Sequence, residues 1–161
     1  MGASFLYTIA YLAFLGVLSH VLGEAIPHGK FDPHAWLFRA RAWENGGKIY
    51  ETIGIQKWKD RMPDMSKIVG RMHPKRLGRA PSAGAVRRLI EETCRAEAVH
   101  LSLCLLAPPI WLFWKNGIGV GVVLLTVLGN LPFILIQRYN RPALLALEKR
   151  LAAREERRKK P

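Results

Sequence analysis

The sequence predicts an all-α integral membrane protein with about three transmembrane helices and additional interfacial amphipathic helices. Half of its 161 residues are apolar, yet the formal net charge is +13. The apolar residues concentrate in three blocks, near 4–23, 98–114 and 117–136, and the charges lie almost entirely outside them. An ordinary soluble domain mixes the two classes at helical or strand spacing. A disordered basic chain lacks such apolar mass. Both classes are excluded, and the length suits one membrane domain, 1–161.

A helix crossing the hydrocarbon core needs about 20 residues. The first block, SFLYTIAYLAFLGVLSHVLG, is long enough and carries no acid, Lys or Arg. Met1-Gly2-Ala3-Ser4 has no basic n-region, so the block reads as a retained span rather than a cleaved signal peptide. The middle block is short and contains Pro108-Pro109, so it spans only with residues before His100 or with a kink. Lys115-Asn116-Gly117 allows only a tight turn, which makes blocks two and three an antiparallel hairpin. Loop charge sets the orientation. Residues 24–97 carry 15 Lys/Arg against 9 Asp/Glu, residues 137–161 carry 9 against 3, and the hairpin tip has Lys115 alone. The positive-inside rule puts the long loop and the C-terminus in the cytoplasm of an inner-membrane protein, with the N-terminus outside.

The basic residues flank spans and form no nucleic-acid motif, so anionic lipid headgroups, not nucleic acid, are the expected partners. The same charge suits a phosphate-bearing donor such as coenzyme A. Cys94 and Cys104 fit neither a metal site nor a disulfide framework, and both are expected reduced. No His/Cys/Asp set has metal spacing, and no cofactor is expected.

Between the first two spans, Trp36, Trp43, Tyr50 and Trp58 alternate with Arg39, Arg41, Lys48, Lys57 and Lys59. This composition favours the headgroup region, with the Trp residues as anchors. Gly46-Gly47 is expected to break the segment into two short helices. Residues 61–84, rich in Pro and Gly, read as a loop. His28, His34 and His73 are expected to be exposed. The tail from Pro142, with Leu144, Leu147 and Leu151 as its apolar stripe, reads as a separate interfacial helix ending in a basic cluster.

Val86, Leu89, Ile90, Thr93, Glu97, His100 and Cys104 share one helical stripe, while Arg87, Arg88, Glu91, Glu92 and Arg95 fall off it. Glu97 and His100, at i and i+3, are neighbours on the apolar side. Asn130, Gln137 and Arg141 share a face of the third span, and the hairpin brings them, with Arg138, toward Glu97 and His100 at the cytoplasmic mouth. Ionisable groups at such depth are functional suspects. A carboxylate holding one ring nitrogen of a His lets the other accept a proton from a hydroxyl. Asn130 or Arg138 would then stabilise an oxyanion, and Lys57, Lys59 and the tail would gather an anionic donor. The structural alternative pairs Glu97 with an Arg, bonds His100 across the hairpin and makes Asn130 and Gln137 interhelical glue. His20 with Glu24 forms a second pair near the end of span one.

At these residues the chain resembles a known family. Glu92-Thr93-Cys94-Arg95-Ala96-Glu97-Ala98-Val99-His100 is similar to the pattern E-T-x-R-A-E-x-x-H, and NLPFILIQRYNRP at 130–142 is similar to N-x-P-x-x-x-x-Q-R-Y-N-R-P. Trp43 to Lys59, with Glu44, Gly47, Lys48, Lys57, Trp58 and Lys59, is a looser match. The family is the glycosyl-4,4'-diaponeurosporenoate acyltransferases of staphyloxanthin-type carotenoid synthesis. The resemblance implies a membrane enzyme that esterifies the glucose 6-hydroxyl of a glycosylated carotenoid acid with a fatty acyl group. It implies Glu97, His100, Asn130 and Arg138 as catalytic candidates. Glu92, Arg95, Gln137, Asn140, Arg141, Trp58 and Lys59 become substrate-binding candidates. The partners are a glycolipid or other membrane-lipid acceptor and an acyl donor, with acyl-CoA as one candidate co-substrate. The readings from other classes are a non-catalytic scaffolding subunit and a lipid-binding or transport component, the latter needing a homo-oligomer because three spans make a thin wall.

Overall fold

The computed structural model describes residues 2–62, 81–114 and 117–159. Among them the regular structure is entirely helical: α1 (Gly2–Ala25), α2 (Ile55–Trp58), α3 (Ala83–Leu105), α4 (Trp111–Trp114) and α5 (Gly117–Lys159), with short 3-10 turns between. Three stretches are long and apolar enough to cross a membrane: Gly2–Ala25, Ala83–Trp114 and Gly117–Lys159. The chain is therefore an all-α membrane protein. The exposure of His73 and most of the 61–84 loop reading lie outside the described residues, as does Lys115 at the hairpin tip.

Helices α3 and α5 form the antiparallel hairpin, and side chains mark its register along its whole length. Glu155 Oε1 accepts from the Ala83 amide at 2.9 Å. Arg141 Nε donates to Thr93 Oγ1 at 3.0 Å. His100 meets Asn130, and Cys104 lies 3.9 Å from the carbonyl of Val127. At the tip, a Cβ on Gly119 would come within 3.0 Å of Trp114 Cβ, so glycine lets the returning helix close on Trp111–Trp114.

Helix α3 begins at Ser82, whose Oγ accepts from the Ala85 amide at 3.2 Å, and stops at Leu105. Pro108-Pro109 then force a 3-10 turn before α4. The kink expected from these prolines is present, and the second span draws on residues well before His100.

Helix α1 runs antiparallel to α3 on another flank. Its buried residues are Thr8, Leu15, Ser19 and Gly23, while Phe5, Leu6, Phe14, Val17 and Val21 point outward, as a helix facing lipid requires. Tyr11 Oη donates to the carbonyl of Leu106 at 2.8 Å, and Trp114 Nε1 donates to Thr8 Oγ1 at 2.9 Å. A Cβ on Gly23 would meet Val99 at 3.3 Å.

Helix α5 corrects the expectation of a separate tail helix. It continues unbroken through Pro132 and Pro142 for 43 residues. At 1.5 Å per residue it is about 65 Å long, roughly twice the hydrocarbon thickness. Each proline removes one backbone donor without ending the helix, because α3 packs beside it.

Residues 26–62 form a front segment laid over the hairpin. Phe31 and Phe38 are buried with Cys94 of α3, their rings 6.4 Å apart. Residues 42–53 fold into 3-10 turns interrupted at Asn45, Gly46 and Gly47, all at positive φ, so the predicted break falls where glycine permits it. Gly47 (φ 94°) also lies against α5, where a Cβ would stand 3.0 Å from the carbonyl oxygen of Tyr139. Trp36 and Trp43 are exposed, as is His34.

Candidate active site

Two polar constellations sit on the α3–α5 hairpin. The first is a buried ionic clamp. Glu97 of α3 is 1% exposed and Glu44 of the front segment 2%. Arg138 joins them. Its Nε and Nη2 donate to Glu44 at 2.5 and 3.0 Å, and its Nη1 donates to Glu97 Oε1 at 2.7 Å. Nη1 and Nη2 also reach the carbonyls of Leu37 and Arg39, at 3.3 and 3.2 Å. A guanidinium has five N–H groups, and all five of Arg138 are engaged. Arg141 donates to Glu97 Oε2 at 2.5 Å, to Thr93 Oγ1 at 3.0 Å and to the carbonyl of Phe38 at 2.7 Å.

Glu44 completes its shell with the Arg41 amide and the Tyr50 hydroxyl. Burial pushes the Glu44 carboxyl up. The hydrogen bonds from Arg138, Tyr50 and the Arg41 backbone outweigh it and hold the group below the ordinary carboxylate value. Burial and the bond to Glu44 push the Tyr50 phenol up to about 12.

The second constellation is a His–Asn dyad, one helical turn further along α3. His100 Nδ1 lies 2.7 Å from Asn130 Oδ1. Asn130 Nδ2 donates to the carbonyl of Thr126 at 2.8 Å. A carbonyl accepts only from the amide NH2, so this second bond fixes which way the Asn130 amide faces. Its oxygen then faces the ring, Nδ1 carries the proton, and the imidazole lone pair is on Nε2. Phe133 stacks on the ring at 4.5 Å and 8°, fixing its plane.

These contacts redistribute the expected roles. Both oxygens of Glu97 are held by arginines, and it is Asn130 that holds His100 Nδ1. Arg138 has no N–H left for an oxyanion, whereas Asn130 gives one of its two amide hydrogens to the Thr126 carbonyl and keeps the other. The structural alternative set out from the sequence is the arrangement seen for Glu97, which two arginines on α5 face at the register the hairpin adopts, and its His100 bond across the hairpin is present as well, to Asn130.

Arg95 was expected on the charged, outward side of α3. It is buried, donates to Glu92 at 2.6 and 3.1 Å, and meets Glu24 of α1 at 2.6 Å. Helix α1 covers that flank, so α3 buries two faces instead of one. Gln137 is buried on α5. Asn140 accepts from Lys59 Nζ at 3.3 Å, Lys59 lies 5.1 Å over the Tyr139 ring, and Trp58 Nε1 donates to the carbonyl of Ile53 at 3.2 Å. This group lies about 15 Å along the helix axis from Asn130 and does not join the dyad. Glu44 and Tyr50 were not among the candidates. The available signal was Glu44 itself, inside the looser family match, three residues after Arg41, whose amide its carboxylate accepts at the start of the 42–53 turns. Among the described residues no group of His, Cys, Asp and Glu is arranged to hold a metal.

The family model for glycosyl-4,4'-diaponeurosporenoate acyltransferase matches residues 33–150. Proteins of that name from Staphylococcus aureus strains MRSA252, N315 and USA300 are each 30% identical over 139 residues, spanning 84% of this chain and 82% of theirs. No solved structure matches. The matched span contains both the clamp and the dyad.

Proposed function

This chain belongs to the glycosyl-4,4'-diaponeurosporenoate acyltransferase family and is an acyltransferase, and from that premise we propose that it esterifies a hydroxyl of a glycosylated isoprenoid at the cytoplasmic membrane surface. The acceptor is a sugar on a long apolar tail. The tail stays in lipid beside α3 and α5, and the sugar hydroxyl meets His100. The positive-inside charge distribution supports an external N-terminus and a cytoplasmic C-terminus.

The observation that carries this reading is the tautomer set by Asn130, which gives Nε2 the lone pair a general base needs. His100 Nε2 takes the hydroxyl proton as the sugar oxygen attacks the acyl carbonyl. The tetrahedral intermediate collapses, the ester forms, the donor's leaving group departs, and the imidazolium returns its proton to it. In this proposal the second N–H of the Asn130 amide, left over from its bond to Thr126, is the donor for the oxyanion, and Gln137, buried about 10 Å further along α5, holds the helix interface. Glu97, Arg138 and Arg141 act by holding the front segment against the hairpin.

The test is acyl transfer from a radiolabelled donor to a glucosylated C30 carotenoid acid in membranes containing His100→Ala or His100→Gln protein. Both variants are expected to melt like the parent and to lose transfer. Retained transfer by a folded variant would remove His100 from the reaction.

A further inference from the structure

Away from the dyad and the clamp, a cleft of about 680 Å³ opens between the first turns of α3 and the distal half of α5. Its size is that of a site for a nucleotide or similar small molecule. Its floor is apolar and made of small residues and Leu145, and its walls carry Arg87, Lys149 and His34 against a single acid, Glu148. Arg87 is 37% exposed; its Nε donates to Glu91 at 3.1 Å, and its Nη1 stands 3.9 Å from Glu148, so its outer nitrogens face the cleft. Lys149 makes no ion pair among the described residues. Leu145 also lines a separate, much smaller cavity with Arg138, Arg141 and Pro142, nearer the clamp on α5. Arg87 lies about 20 Å along the α3 axis from His100, on the part of the hairpin that extends past the hydrocarbon.

We propose that this cleft holds the phosphate-bearing head of a water-soluble acyl thioester, a phosphorylated nucleotide on a flexible arm, whose acyl carbonyl reaches His100. The inference rests on the acyl-transfer reading and names its donor class. Three features suit that ligand and no simple lipid. The cations sit beside an apolar floor that a base ring can cover. The cleft lies on the half of α5 outside the membrane core, where a soluble molecule arrives. Its distance from the dyad requires a long arm between the phosphates and the reacting carbonyl. Arg87 and Lys149 pair the phosphate charge through charge-assisted hydrogen bonds.

The test uses the full chain in phosphatidylcholine nanodiscs with fluorescent etheno-coenzyme A as the probe, at fixed ionic strength. Saturable binding is expected, weakened about tenfold by Lys149→Glu and by Ala146→Trp, which fills the cleft from an exposed position. A thermal melt of each variant checks folding. In transfer assays both variants should raise the KM for an acyl-CoA donor and leave kcat near the parent value. Absence of binding in a protein that transfers acyl groups from phospholipid would overturn the inference and leave the acyl-transfer reading standing. So would binding unchanged by both variants, or probe displaced when phosphatidylglycerol is added to the nanodisc. Cleft binding without transfer to any acceptor would count against the acyl-transfer reading instead.

Discussion

The clamp and the dyad occupy the same two helices, one turn apart, and they use polar groups in opposite ways. In the clamp every N–H of Arg138 has an acceptor and both Glu97 oxygens have a donor. Such a network is costly to disturb, and it offers no atom to a substrate. In the dyad the Asn130 oxygen holds Nδ1–H, which in the neutral ring puts the lone pair on Nε2. Charge buried and fully matched makes a joint between segments. A pair set at the edge of that joint, with one ring nitrogen bonded to Asn130, is the arrangement the proposed base requires. The Glu97 carboxylate, the most reactive-looking group in the sequence, belongs to the joint.

Separating activity from stability tests this contrast. The largest effect is expected from His100→Ala. It should lower kcat by about 10²- to 10⁴-fold, the range for loss of a general base, with no change in melting temperature. Next comes the clamp. Arg138→Met leaves buried Glu44 without a cation and Glu97 with Arg141 alone, and should cost about 3–5 kcal/mol of stability. Arg138→Lys should restore little, since an ammonium cannot reproduce the planar fork. Chemical denaturation in detergent reads both. If Arg138→Met is as stable as the parent and only inactive, the division between the two constellations fails.

Asn130→Asp sharpens the dyad. The change removes the amide donor to Thr126 that orients the group, so kcat should fall about tenfold or more while the protein still folds. An unchanged kcat would mean that Asn130 does not set the His100 tautomer. Gly47→Ala combines positive φ with a close approach to the carbonyl of Tyr139, and should cost about 1–2 kcal/mol without altering the pH profile.

The smallest effect is the pH dependence of the clamp. The Tyr50 value is raised, so its contribution is complete below pH 10 and is lost as pH rises through about 12. The Glu44 value is lowered, so its contribution is complete above 4.5 and is lost as pH falls through the depressed value. Tyr50→Phe should remove the alkaline loss and leave the acid one, as followed by tryptophan fluorescence against pH.

The spans were legible because hydropathy depends on composition alone. The stripe carrying Glu97 and His100 was legible because α3 keeps a 3.6-residue period. Partner choice was not. Whether Glu97 meets His100 or an arginine depends on the register of α5 against α3, which no single helix encodes. Arg95 was misplaced because a periodicity argument assumes one buried face, and α1 supplies a second. The tail looked separable because Pro142 normally starts a helix, yet α3 holds the preceding turn in place. Glu44 was passed over because an acid among Trp and basic residues reads as a solvated charge. Its burial depends on an arginine 94 residues later.

That long reach has a consequence for how the molecule is made. Both arginines of the joint lie on α5, made after the segments that carry the acids they neutralise. Before α5 packs, Glu97 is a lone carboxylate on a greasy helix and Glu44 has no guanidinium, each a heavy penalty. The front segment can then rest on α3 only through its apolar contacts, Phe31 and Phe38 against Cys94. A chain truncated before α5 should accordingly be cleared by quality-control proteases instead of waiting half-built.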